Sequence, residues 1–323
     1  MIVYQSKNTS YSFIGLCFTI LFFIYACSGE TGYKPVDFSD RVTVKRPTGQ
    51  THDASQLRVA VAAVISPKET FVYYRQLLDY IGHHLGRNTQ LIQRKTYSEI
   101  NELFPKGQID LAFICSGPYA VSKEIFGFEA LATPIVRGIP FYHSYLIVNK
   151  DSPFQKIEEL RDHVFAFTDP KSNTGALVPT YWLAEMGETP ESFFSSVNYT
   201  YSHDNSIMAV AKALVDGATV DGHIWEYYNV RKPVYTSQTR ILKKSQPFGS
   251  PPLVASVYLP EKLKAKIRNT LLTMHQEPEG RRILEELMID RFVAPRELWY
   301  ESIRNIKQKV RAAGNKLDAS QDS

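Results

Sequence analysis

From Leu57 onward the chain repeats one pattern: a short apolar run, a polar turn, an amphipathic stretch at helical spacing, and an apolar run again. "LRVAVAAV" (57–64) is continuous enough for a strand covered on both faces. "ETFVYYRQLLDYIGHHLG" (69–86) places Phe71, Tyr74, Leu77, Leu78, Ile81 and Leu85 on one helical face and stops at Gly86. "TQLIQR" then reads as a strand, "YSEINELFPKG" as a helix and "IDLAFICS" as a strand, and "GPYAVSKEIF" opens the next helix. A β-α-β-α-β succession of this kind demands a parallel sheet with helices over its faces.

A second series follows. "FYHSYLIVNKD" (141–151), "HVFAFTD", "SVNYTYS" and "TVDGHIW" read as strands, with helices at "IEELRD", "TGALVPTYWLAEMG" and "SIMAVAKALVDG" between them. Near "PFGSPPLVASVYLP" (247–260) the chain turns back into a strand, and "EKLKAKIRNTLLTM" and "PRELWYESIRNIKQKVRAAG" close it with amphipathic helices. The expected fold class is α/β with two lobes, each a mainly parallel sheet flanked by helices. Residues 57–142 and 252–312 are expected in the first lobe and 143–251 in the second, with 313–323 a frayed tail. A ligand would sit between the lobes, at the carboxyl ends of the strands.

The start of the chain is of another kind. "FIGLCFTILFFIYA" (13–26) is apolar, but a helix of that length rises about 21 Å, short of the roughly 30 Å hydrocarbon core. It therefore reads as an export signal, residues 1–26, ending at a small residue before Cys27. "IYAC" resembles a bacterial lipobox, which makes Cys27 the expected lipidation site, with the bulky Tyr25 a departure from the pattern. Residues 27–56, rich in Gly, Pro, Asp, Thr and Ser, read as a flexible tether. Once Cys17 leaves with the signal and Cys27 carries lipid, only Cys115 remains. No disulfide can then form within the mature chain, and Cys115, at the end of "LAFI", reads as a small buried hydrophobe.

Composition excludes some functions. A net charge of +4 over 323 residues, without basic runs interleaved with aromatics, argues against nucleic-acid binding. His83 and His84 are adjacent and diverge on a helix, so they do not chelate one ion. There is no zinc-protease, dithiol, phosphate-loop or nucleophile-elbow motif, so neither metal nor cofactor is expected, and no nucleophile is paired with a base.

One stretch does carry chemistry. In "FTDPKSNTGALVP" (167–179), Ser172, Asn173, Thr174 and Gly175 lie where a strand ends and a helix begins. The first amides of a helix have no helical partner, and the peptide dipoles add roughly half a positive charge there. Hydroxyls at the same turn make it a donor cup for an anion with several oxygens, and Gly175 keeps one wall open. The plainer alternative is that Ser172 or Asn173 only caps the helix.

The same stretch resembles the D-P-x-S-x-S-G turn of the phosphate-, phosphite- and phosphonate-binding proteins of ABC importers, through Asp169, Pro170, Ser172, Thr174 and Gly175. "YRQLLDYIGHHLG", "IDLAFICSGPYAV", "YSHDNSIMAVAKALVDGATVDGHIWEYY" and "SPPLVASVYLPEKLKAKIRNTLLTM" resemble further segments of that family in the right order, over roughly residues 57–312. Asn173, Val121 and His223 depart from its pattern. The resemblance implies a type II periplasmic-binding-protein fold and capture of a phosphonate-, phosphite- or phosphate-type oxyanion. It implies partnership with an importer permease, membrane attachment through the N-terminal lipid, a monomeric state and no enzymatic activity. A receptor of the same fold that feeds a membrane sensor kinase, or one that takes a different small anion, is the alternative. The implied ligand-binding residues are Ser172, Asn173 and Thr174, with His203 from the facing strand end, Tyr74 or Tyr73 from the first helix, Ser116 and Tyr119. Asp221 is placed to meet a ligand amine, His223 is a further ligand-binding candidate where relatives more often carry a small or polar residue, Trp225 walls the cleft or serves the core, and Asp204 caps its helix.

Overall fold

The computed structural model describes residues 55–62 and 64–321; the expected signal, tether and Cys27 lie outside them. The first half contains β1 (Gln56–Val61), α1 (Pro67–Leu85), β2 (Asn88–Ile92), α2 (Tyr97–Asn101), β3 (Leu111–Phe113), α3 (Ser116–Phe126), β4 (Phe128–Ile135), β5 (Phe141–Tyr142) and β6 (Ser144–Asn149). After these come β7 (Val164–Phe167), α4 (Val178–Glu185), α5 (Pro190–Phe193), β8 (Ser196–Tyr199), α6 (His203–Ala211), β9 (Gly217–Asp221), α7 (Gly222–Arg231), β10 (Thr239–Lys244) and β11 (Phe248–Gly249). The chain ends with β12 (Leu253–Ser256), α8 (Glu261–Thr273), α9 (Pro278–Glu286), β13 (Arg291–Val293) and α10 (Glu301–Gln321).

These strands build two sheets, in the orders β13-β4-β12-β3-β1-β2 and β10-β6-β9-β7-β8. The parallel ladders are those joined by helical crossovers: β2 and β3 on β1, and β8 and β9 on β7. The remaining pairs are antiparallel, so both sheets are mixed rather than mainly parallel. The reason lies in β13 and β10 at the sheet edges, in β4 and β6, which run against their neighbours, and in β12, which returns from the other lobe. The chain crosses between the lobes at β5 and comes back at β11, and these two crossings pair with each other as a small antiparallel ribbon.

Each lobe has its own core. Leu57 and Val59 of β1, Leu77, Leu78 and Ile81 of α1, and Leu111, Leu253 and Phe292 pack together in the first. Ile147, Ala166, Ile207, Val210 and Val220 do so in the second. The 3.6-residue stripe on α1 explains its burial, and Gly86, with φ at +61°, ends the helix in the left-handed conformation that glycine adopts without cost.

Two further expectations from the sequence are corrected. The "GHIW" that reads as the end of a strand is the first turn of α7, because the Asp221 carboxylate accepts from the amides of His223 (2.7 Å) and Ile224 (3.3 Å) and caps a helix. Residues 313–321 are helical rather than frayed, continuing an amphipathic helix rich in good helix formers. That helix does not belong to the first lobe alone. Ile303 and Ile306 share a core with Tyr119 and Ala120 of α3 and with Val178 and Trp182 of α4.

Candidate functional site

The carboxyl ends of β3, β7 and β9 face one another across the cleft, and each is followed by a helix start. On the second lobe, residues Asn173–Leu177 form a wide π-turn that leads into α4. Such turns collect at functional sites. Ser172 caps it, its Oγ accepting from the Gly175 amide at 3.0 Å. The Asn173 amide points across the cleft to Cys115 Sγ at 3.4 Å, and its side-chain Nδ2 donates to the Tyr142 hydroxyl at 3.2 Å. Two amides of the turn are thus already engaged.

The Thr174 hydroxyl, which can donate, and Asn173 Oδ1, which only accepts, are both buried without a hydrogen-bond partner among the described residues. The hydroxyls of Tyr97, Ser202 and Thr219 are in the same condition. Tyr97 packs with Cys115 at the start of α2, Ser202 immediately precedes α6, and Thr219 lies two residues before Asp221 on β9. Buried hydroxyls almost always find partners, and leaving one bare costs about 1–3 kcal/mol. Several around one cleft mark a place built for something with acceptors.

His203 adds a donor of defined tautomer. Its Nδ1 lies 3.0 Å from the Asp221 amide, which can only donate, so Nδ1 accepts and Nε2 carries the proton. The ring stays neutral: burial holds its pKa down at about 3. His223 is also neutral, pushed down to about 4 by burial and then by His143 and Arg137, and its ring stacks on Tyr142 at 5.8 Å. The one acid among these groups is Asp221, whose pKa burial pushes up to about 7 against the two amides that it accepts from. The Cys115 thiol rises to about 11 for the same reason, so it is inert as a nucleophile.

The two lobes are clasped around this cluster by backbone bonds. The Tyr97 amide donates to Asp169 Oδ2 at 3.0 Å, the His203 amide to the Val64 carbonyl at 3.0 Å, and the Ser66 amide to Asp204 Oδ1 at 2.9 Å. Asp204 therefore binds the opposite lobe instead of capping α6. Gly117 permits the approach, since a Cβ there would meet the Lys171 carbonyl at 2.9 Å and the Asn173 amide at 3.1 Å.

Of the residues singled out from the sequence, Ser172, Asn173, Thr174, His203, Asp221 and His223 surround this cleft together with Ser116, whose hydroxyl is bonded to that of Tyr142. Tyr74 lies beside Phe113 with ring centroids 5.1 Å apart, on the wall of an adjoining cavity. Tyr119 is not in the site: its hydroxyl donates to Glu297 at 2.5 Å and its ring packs on Tyr300, on the α10 side of α3. Trp225 is not there either; its indole N–H donates to Thr239 and its ring packs on Tyr145. The Tyr73 side chain lies outside the described residues. The sequence reading missed Tyr97, Tyr142, Ser202 and the clasping Asp169. A signal existed for Tyr97: Thr96 and Glu99 form a capping box, which marks a second helix start beside the strand ends. Among the described residues there is no cluster fit to hold a metal and no helix long and apolar enough to cross a membrane.

Two α/β lobes, two paired crossings and a cleft lined by helix starts define a type II binding-protein fold. The match to the family described as "ABC transporter, phosphonate, periplasmic substrate-binding protein" extends over residues 59–300, and the chain belongs to that family. It is 32% identical over 174 residues to the phosphonates-binding periplasmic protein of Escherichia coli, covering 52% of this chain and 51% of that one. It is 28% identical over 189 residues to the phosphate-import protein PhnD of Mycolicibacterium smegmatis, covering 53% of this chain and 57% of that one. The chain thus spans about half the length of the curated relatives it matches. Among solved structures, a binding protein component of an ABC phosphonate transporter from Pseudomonas aeruginosa superimposes with a TM-score of 0.77 at 22% identity, covering 81% of this chain and 88% of that one. PhnD1 from Prochlorococcus marinus in complex with methylphosphonate does so with a TM-score of 0.72 at 18% identity, covering 80% and 98%.

Proposed function

We propose that this chain is the solute-binding component of an ABC importer and captures a phosphonate-type oxyanion between its lobes. The observation that carries the reading is the set of buried, unpartnered hydroxyls of Thr174, Tyr97 and Ser202 around the neutral His203. Neutral donors fixed in place replace the hydration of an anion without adding a counter-charge. Asp221 sets the protonation. An ionised carboxylate repels a dianion, so the favoured partner is a monoanion whose P–OH donates to Asp221, or a ligand bound while Asp221 holds its own proton. Family membership and the relatives named for phosphonate and phosphate support the ligand class.

The finer points of the proposal rest on the sequence. The apolar segment and "IYAC" support export and lipid anchoring at Cys27, which would hold the protein at the membrane beside its permease. The protein acts as a monomer and catalyses nothing: its one described thiol is kept protonated by burial, and His203 accepts from a backbone amide rather than from a nucleophile. Calorimetric titration with methylphosphonate, phosphite, phosphate and sulfate tests the reading. Saturable binding of at least one phosphorus oxyanion, with sulfate excluded, is expected. A folded protein that binds none of them overturns it.

A further inference from the structure

A cavity of about 130 Å³ continues from the donor cluster, and its wall is apolar almost throughout. Asp221 and His223 stand at one end, and Phe113, Ile224, Ile289 and Phe292 line the rest together with prolines, aliphatic residues and tyrosines. Among the described residues no other carboxylate and no lysine or arginine lines it. Asp221 belongs to both spaces: its amide bonds His203 in the donor cluster while its residue walls the cavity. His223 is likewise shared, stacked on Tyr142 and facing the cavity as a neutral ring.

From this we infer that the ligand is a phosphonate with an apolar organic substituent, an alkyl or aryl group, and not an aminoalkyl phosphonate. The inference rests on the oxyanion reading above and narrows it. An anion head held by the hydroxyls and by His203, with its P–OH on Asp221, directs its carbon-bonded face past that carboxylate into the cavity. An apolar cavity of roughly 150 Å³ holds a benzene ring, so this one takes a phenyl group or a short alkyl chain. A primary ammonium placed there would lose its water among rings and aliphatic side chains, with Asp221 the single carboxylate among the described lining residues. A bare methyl group would leave most of the space unfilled.

The test is a calorimetric series at constant pH and salt on the wild-type protein, with methyl-, n-propyl-, phenyl- and 2-aminoethylphosphonate. Affinity is expected to rise about threefold to fourfold per added methylene from methyl to n-propyl. n-Propylphosphonate, isosteric with the 2-aminoethyl compound, is expected to bind at least tenfold tighter than it. In Ile289→Phe, which narrows the cavity, the advantage of n-propyl and phenyl over methyl should shrink while methylphosphonate binding persists. If methylphosphonate binds and the larger apolar compounds bind more weakly, or if 2-aminoethylphosphonate binds tightest, the inference fails and the oxyanion reading stands. If no phosphonate binds the folded protein, both fail together.

Discussion

Replacing Asp221 with Asn separates the carboxylate's charge from its capping role. Asn keeps a side-chain oxygen that can accept from the His223 and Ile224 amides, as the carboxylate does at 2.7 and 3.3 Å. Burial pushes the Asp221 pKa from 3.8 to about 7. The gap of about three units, at about 1.36 kcal/mol each, places on the order of 4 kcal/mol against the ionised form at high pH. The sign follows from the acid being held protonated in the fold. The stabilising contribution is complete below pH 3.8, declines as the unfolded chain ionises first, and is gone above about pH 7. Asn has no proton to lose. At pH 8 the variant should therefore gain about 2–4 kcal/mol, which for a chain of this size is roughly 3–7 °C in Tm. At pH 4 it should gain almost nothing. Thermal unfolding followed by circular dichroism at both values, without ligand, measures this. A variant no more stable than wild type at pH 8, or equally stabilised at pH 4, refutes the reasoning.

Other consequences can be checked as directly. Burial holds His203 and His223 at about 3 and 4, below the usual 6.5, so the unfolded chain takes up protons that the fold rejects. Each contributes stability that is present above pH 6.5 and falls by about 1.4 kcal/mol per unit as the pH drops towards its folded pKa. His203→Asn, which keeps an acceptor for the Asp221 amide, should make the acid limb of a Tm–pH curve shallower. Gly117→Ala should weaken ligand binding by an order of magnitude or more with little loss of Tm, because its methyl group meets backbone of the opposite lobe at 2.9 and 3.1 Å when the cleft is shut; small-angle scattering with ligand should show a more open form. Asp169→Ala strands the buried Tyr97 amide and should cost about 1–3 kcal/mol, seen in urea titration as a lower midpoint.

Much of this architecture is legible in the residues. The apolar run of β1 and the stripe on α1 carry their own periodicity, and the strand–turn–helix at 167–179 announces a helix start at a strand end. What escaped has physical causes. β4 and β10 are strands added beside others, so their burial depends on neighbours far along the chain and not on a local pattern. "GHIW" alternates like a strand, yet one carboxylate accepting two amides turns it into a helix. In the site, Asn173 and Thr174 lie on a contiguous motif, whereas Tyr97, Tyr142 and Ser202 reach the same cleft from separate elements. Tyr119 sits in a helix start as promising as that of Ser116, but it faces α10. The direction of a helical face is set by packing across the chain, and the local sequence does not state it.

The account's central claim is that buried neutral hydroxyls wait for an oxyanion, and Thr174→Val tests it most directly. Val matches the shape of Thr without its hydroxyl, which is buried and without a partner among the described residues. The account predicts a Tm equal to or above that of wild type, because an unsatisfied polar group is removed. It also predicts methylphosphonate affinity at least about tenfold weaker, the worth of one hydrogen bond to a charged group. A variant that binds methylphosphonate as tightly as wild type would contradict it.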